Sequence, residues 1–174
     1  AHTMTLELSG GRVPRWLTEG LSTYEEKVAN PSWDRYLYRD LYHAWHGDAL
    51  LKVLGFDAAF STPRIAFAYF QGGLVCHWIV ERFGFEKVLE MLAAYGADKT
   101  TEQVLREVLE ISPTDFDSGF REYVAKLIEP MRLLPLPAAE RVKALEAQLG
   151  EGSPSDADLL DLATARVMQK RYLE

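Results

Sequence analysis

The sequence predicts an all-α protein. Three observations carry that reading. No segment sustains the apolar–polar alternation of a strand, and β-branched residues do not cluster. Apolar residues recur at helical spacing, as at Leu17, Leu21, Tyr24 and Val28, which builds one apolar stripe. Glycine, proline and Ser/Thr residues punctuate the chain where helix ends are expected.

Residues 2–9 form a short helical piece stopped by Gly10-Gly11, a common helix end. Isolated helices of fewer than ~12 residues are marginal, so this piece is expected to be the cut end of a longer helix. A second helix starts near Pro14, a residue tolerated in a first turn. A third, rich in aromatics, is expected from Trp33 to Leu54, with Gly55 as its stop. Thr62-Pro63 then opens a buried helix, with Pro63 in its first turn, that ends at Gly84. Phe85 to Tyr95 follows, stopped by Gly96. Thr100 or Thr101 opens a helix to about Glu110. Ser112-Pro113-Thr114-Asp115 opens the next, combining a cap with an acid that favours the helix dipole.

Composition changes after Ile128. Pro130, Pro135 and Pro137 mark a linker. Beyond it, an amphipathic helix from about Ala138 to Leu149 is broken by Gly150-Glu151-Gly152, and Ser153-Pro154 starts a last one. The expected division is a helical lobe over 1–128, a Pro-rich linker over 129–137 and a helical hairpin over 138–174.

The net charge of −7 argues against a nucleic-acid partner, which would favour a basic face. The longest apolar run, Ile65 to Val80, contains Gln71, Gly72, Gly73 and His77. It falls short of the ~18 clean apolar residues of a spanning helix, so no membrane span is expected and a buried core helix is. Cys76, the single cysteine, lies in that run and reads as an inert buried thiol. His77 reads as a core histidine. His43 and His46 share a helical face at i, i+3, but Trp45 and its aromatic neighbours point to packing, and no third ligand is evident. No phosphate loop, Ser-His-Asp pattern or Cys-His cluster is present.

His2 alone is a terminal histidine of a kind commonly disordered or tag-derived. Glu19 alone lies opposite the Leu17/Leu21/Tyr24 stripe, where a solvated glutamate is expected. Their conjunction changes the reading. The string Trp16-Leu17-x-Glu19-Gly20-Leu21-x-x-Tyr24 resembles the ligand helix of the gluzincin, or peptidase MA, zinc metallopeptidases. Ala1-His2 fits the last two positions of their H-E-x-x-H motif. Tyr69-Phe70-Gln71-Gly72 is similar to the Tyr-x-x-Gly segment of aminopeptidase-N-like members. Segments 85–89, 100–105 and 116–123 look like the helices that close the C-terminal lobe. The likeness covers about residues 1–128, and small Gly20 and Thr23 would let a second helix approach closely.

The resemblance implies a fold, the helical C-terminal lobe of a gluzincin, and an activity in the parent protein, peptide-bond hydrolysis by zinc-activated water. His2 and Glu19 would be metal ligands. The Tyr69 hydroxyl would hydrogen-bond the oxyanion, a contact worth ~3 kcal/mol in such sites; otherwise Tyr69 is a core tyrosine with a satisfied hydroxyl. The first histidine of the motif and its glutamate base are expected ahead of Ala1. On that reading the parent holds zinc and acts on a peptide or protein, while the chain as given is inactive and holds no zinc. The last helix resembles the first helix of a tetratricopeptide repeat. Leu159, Leu162 and Ala163 fit its large-large-small positions, Tyr172 falls near its usual aromatic, and a protein partner through such repeats follows. The alternative for the whole is a non-catalytic helical scaffold built on a protease-like lobe. A His-Glu pair three and four residues before His2 separates the two.

Overall fold

The fold was analysed as a computed structural model that describes residues 2–133, 137, 139–148 and 155–171, without the side chains of 139, 148 and 167–171. Its helices are α1 (His2–Leu8), α2 (Arg15–Ala29), α3 (Tyr38–His46), α4 (Ile65–Phe83), α5 (Phe85–Gly96), α6 (Thr101–Val108), α7 (Pro113–Ile128), α8 (Ala139–Gln148) and α9 (Asp156–Arg171). Short 3₁₀ segments run over Pro31–Trp33, Val53–Ser61 and Glu129–Met131. No strand occurs among the described residues, so the class is all-α. The chain divides into two compact units, Ala1–Met131 and Arg132–Glu174.

In the first unit α4 is the central element. Phe67, Ala68, Phe70, Leu74, Val75, Trp78 and Ile79 are buried along it, so it is apolar nearly all round, as a core helix must be. Helix α2 packs on it more extensively than any other pair of elements packs. The contact is possible because three glycines stand where the axes approach. A β-carbon on Gly20 would lie 2.6 Å from the Gly72 carbonyl oxygen, and one on Gly73 would lie 2.8 Å from Thr23 Cγ2. The small residues read from the sequence at 20 and 23 therefore do admit a second helix, and that helix is α4.

Local chemistry explains most helix ends. Thr100 caps α6 in a reciprocal capping box with Gln103, and the Ser112 hydroxyl accepts from Asp115 N to cap α7. Gly84, at φ +88°, turns the chain between α4 and α5. Gly10 and Gly11, at φ +56° and +77°, do the same between α1 and α2.

Three expectations need correction. The single helix expected from Trp33 to Leu54 is broken. The Asn30 side chain caps a 3₁₀ turn at Pro31–Trp33, Tyr36 adopts φ +49°, and α3 spans only Tyr38–His46. Asp34 is held by Lys27 Nζ at 2.8 Å and by the Tyr38 hydroxyl at 2.8 Å, and these side-chain bonds outcompete helical continuation. After His46 the chain turns, with Asp48 at φ +51°, and Leu51 exchanges two hydrogen bonds with the buried Gln71 amide, at 3.0 and 2.9 Å. Next, Thr62-Pro63 precedes α4 rather than opening it; the Thr62 hydroxyl donates to Ala59 O and accepts from Arg64 N. Finally, Val28 leaves the stripe of α2 and is 59% exposed, because burial there falls on Trp16, Leu17, Thr18, Gly20 and Leu21.

In the second unit α8 and α9 pack through Val142, Leu145, Leu162 and Ala165. Of the repeat-like positions, Leu162 is buried while Leu159 and Ala163 are exposed. Tyr172 and the Val167 side chain lie outside the described residues.

Candidate functional site

The site assembles at the N-terminal end of α2. Pro14 starts that helix with no side chain of its own to cap it. Asp57, from the 3₁₀ segment, supplies the cap from a distance. Its carboxylate accepts from Arg15 N at 3.0 Å and Trp16 N at 2.7 Å, satisfying two of the free amides of the first turn. Trp16 then anchors the turn in the core, tilted on Phe56 and edge-on to Phe116. The next turn presents Thr18 and Glu19 to α1.

His2 and Glu19 meet there. His2 Nε2 lies 3.1 Å from Glu19 Oε2. Glu19 is not the solvated glutamate its helical-wheel position suggested: its side chain is 16% exposed, covered by His2 on one side and Arg15 on the other. The other ring nitrogen, His2 Nδ1, is 3.1 Å from Thr18 Oγ1. Thr18 Oγ1 is 2.6 Å from Thr5 Oγ1, and Thr5 donates to the His2 carbonyl at 2.9 Å. Both threonines are buried.

Tyr69, on α4, joins the site through Arg15. The Arg15 guanidinium is held above the usual arginine range, first by its hydrogen bond to the Tyr69 hydroxyl, against some desolvation, then by its bond to Glu19. Its Nε is 3.4 Å from Glu19 Oε1. The Tyr69 ring stands edge-on to Phe60 at 5.2 Å, with the Arg35 guanidinium 5.0 Å from its centroid. Thus Arg15 contacts Glu19 on one side, and His2 touches Glu19 directly on the other.

The sequence model of the Peptidase MA superfamily matches residues 1–126. The chain belongs to the Peptidase MA superfamily. No curated protein and no solved structure matches it.

This superfamily is generally zinc-dependent, and its lobe here is metallopeptidase-like. The donor pair fits zinc in chemistry and spacing. A neutral imidazole nitrogen and a carboxylate oxygen are ordinary zinc ligands, and two ligands of a tetrahedral zinc stand about 3.3 Å apart; His2 Nε2 and Glu19 Oε2 are 3.1 Å apart. On the far side of the ring, His2 Nδ1 is in hydrogen-bond contact with Thr18 Oγ1. Among the described residues no group of three or more His, Cys, Asp or Glu side chains could hold a metal, so this Peptidase MA lobe presents a pair rather than a full set.

The remaining histidines stay outside the site. His43 Nε2 is buried with no hydrogen-bond partner, and burial, then the Arg39 charge, push its pKa down. His46 packs on the Tyr42 ring at 4.5 Å. His77 is not the core residue expected: its side chain is 44% exposed, edge-on to Tyr24 and 3.9 Å from Glu81. Cys76 is wholly buried beside Gly20, and desolvation drives its thiol pKa up, so it is inert.

Sequence reasoning missed Arg15, Thr18, Thr5 and Asp57. Arg15 carried a readable signal, since a cation four residues before Glu19 shares its helical face. Asp57 carried none, because its partners lie far away in the chain.

Proposed function

We propose that this lobe belongs to a zinc-dependent peptidase in which His2 and Glu19 are metal ligands and Tyr69 is the oxyanion donor. The observation that carries the reading is the 3.1 Å approach of His2 Nε2 to Glu19 Oε2, one group from each of two helices. A zinc ion bound there would supply an activated water and an electrophile for the scissile carbonyl. Every other contribution comes from the chain. His2 offers a neutral nitrogen. Glu19 offers negative charge, and its second oxygen stays engaged by Arg15. The Tyr69 hydroxyl donates toward the carbonyl oxygen of the substrate as charge develops on it, a contribution of ~3 kcal/mol in such sites. Arg15 positions that hydroxyl and the Glu19 carboxylate together. The substrate is a peptide or protein.

The finer reading of residues 138–174 is the start of a helical-repeat extension that binds a protein partner. Its support is the large-large-small spacing at Leu159, Leu162 and Ala163, together with the α8–α9 hairpin.

Zinc titration of the chain, against His2→Ala and Glu19→Gln, tests the ligand assignment. Wild type is expected to bind zinc reversibly and weakly, and each substitution to weaken it at least tenfold. Binding that survives both substitutions unchanged would remove His2 and Glu19 from the metal site and favour a scaffold role for the lobe.

A further inference from the structure

We infer that Arg35 is a specificity residue: its guanidinium, stacked on the Tyr69 ring, binds a carboxylate carried by the ligand. That this ligand is a peptide substrate rests on the peptidase reading of the site; the carboxylate site itself does not.

The chain fixes the position of Arg35 from both sides. Asp34, the residue before it, is held by Lys27 Nζ and by the Tyr38 hydroxyl, each at 2.8 Å. Tyr36, the residue after it, adopts φ +49°, a left-handed conformation disfavoured for any residue but glycine. Tyr38 then stands edge-on to Phe70 at 5.2 Å, and Phe70 follows Tyr69 on α4. With its flanks pinned in this way, the exposed Arg35 lies over the Tyr69 ring, 5.0 Å from guanidinium carbon to centroid. Stacking orients the planar guanidinium and leaves its N–H edge open to a ligand.

What that edge lacks is an anion. Arg12, Arg15, Arg106 and Arg121 each have a carboxylate within 3.5 Å. Arg35 has none among the described residues, although the chain carries a net charge of −7. Glu19 does not serve, because His2 engages it at 3.1 Å and Arg15 at 3.4 Å. A guanidinium with a free edge matches a carboxylate through two parallel hydrogen bonds. A charge placed so discriminates between ligands more than it adds affinity. Tyr69 is the residue proposed to face the substrate carbonyl, so a carboxylate on Arg35 belongs to a residue near the scissile bond. Its source is an acidic side chain or a free C-terminus. Arg35 then selects the substrate and takes no part in breaking the bond.

Peptide titrations of the full chain without metal, followed by ¹H–¹⁵N spectra that include the arginine side chains, test this. Three probes suffice: N-acetyl trialanine amide, the same peptide with a free C-terminal carboxylate, and the amide with aspartate in its middle position. At least one acidic peptide is expected to shift the Arg35 side-chain resonance and to bind at least about fivefold more tightly than the neutral one, the scale of an exposed charge-assisted contact. The acidic peptide that binds more tightly names the source of the carboxylate. Arg35→Gln should abolish the preference without weakening the neutral peptide, and Arg35→Lys should keep part of it. Arg82→Gln, which removes an arginine stacked on Trp78 and Phe83 near the other end of α4, should change nothing. Acidic and neutral peptides bound alike by wild type, or a preference that survives Arg35→Gln, would overturn the proposal. So would acidic peptides that leave Arg35 unmoved at roughly 10 mM, a concentration that fills even a site of ~1 mM affinity. Zinc binding that ignores His2→Ala and Glu19→Gln, with the preference as expected, would sustain the carboxylate site and refute the peptidase reading. Zinc lost in those variants, with no acid preference, would do the reverse.

Discussion

Gly20 on α2 and Gly72 on α4 touch backbone to backbone: a β-carbon on Gly20 would stand 2.6 Å from the Gly72 carbonyl oxygen and 2.8 Å from Cys76 Sγ. The first obstacle is main chain inside a packed helix pair, which has little room to yield. Gly20→Ala is expected to destabilise the first unit by about 1–3 kcal/mol, the usual cost of overpacking. All four tryptophans lie in that unit, so urea denaturation followed by their fluorescence reports it. An alanine variant as stable as wild type would show that the helices part easily there.

Asp57 caps a helix to which it does not belong. Asp57→Ala frees the amides of Arg15 and Trp16, at a cost of about 0.5–2 kcal/mol. It also removes a negative charge from the positive end of the α2 dipole. Asp57→Asn keeps one acceptor and should lose less. Amide hydrogen exchange is the sensitive readout: faster exchange confined to the first turn of α2 is expected in the alanine variant.

The legible parts of the sequence were those governed by local chemistry. The ends of α5, α6 and α7 follow from Gly84, Thr100 and Ser112, whose capping needs only near neighbours. The region between Trp33 and Ser61 was not legible, because its breaks depend on Lys27, Gln71 and Asp117, all supplied by other elements. The same division runs through the site. His2, Glu19 and Tyr69 stood out through a family pattern. Arg15, Thr18 and Thr5, which hold them, belong to no such pattern and are recognised only once α1 lies against α2.

Asp34 makes part of the stability depend on pH. Burial alone would raise its pKa, but hydrogen bonds from Lys27 and Tyr38 outweigh it and hold the group below the ordinary aspartate value. A carboxylate with a depressed folded-state pKa stabilises the fold above its unfolded value, and that stability is lost as pH falls through the folded one. Lys27, whose pKa is raised against the effect of burial by Asp34 and Tyr38, works at the other end: its contribution is lost as pH rises through the raised value. Asp117 runs the other way in acid, since burial raises its pKa, so the difference between wild type and Asp34→Asn isolates Asp34. Thermal melts across the acid range should show Asp34→Asn less stable near neutrality and converging on wild type as pH falls below the ordinary aspartate range. Parallel curves would contradict the assignment.

The central claim is that His2 and Glu19 are two ligands of one zinc ion. Anomalous diffraction at the zinc edge, from crystals of the chain grown with excess zinc, tests it most directly. The expected result is a peak bonded to both His2 Nε2 and Glu19 Oε2 at about 2.0–2.2 Å, the normal lengths for these ligands, with the Nδ1 contact to Thr18 retained. A peak at His43 and His46, with the 3.1 Å contact of His2 and Glu19 left closed, would contradict the account.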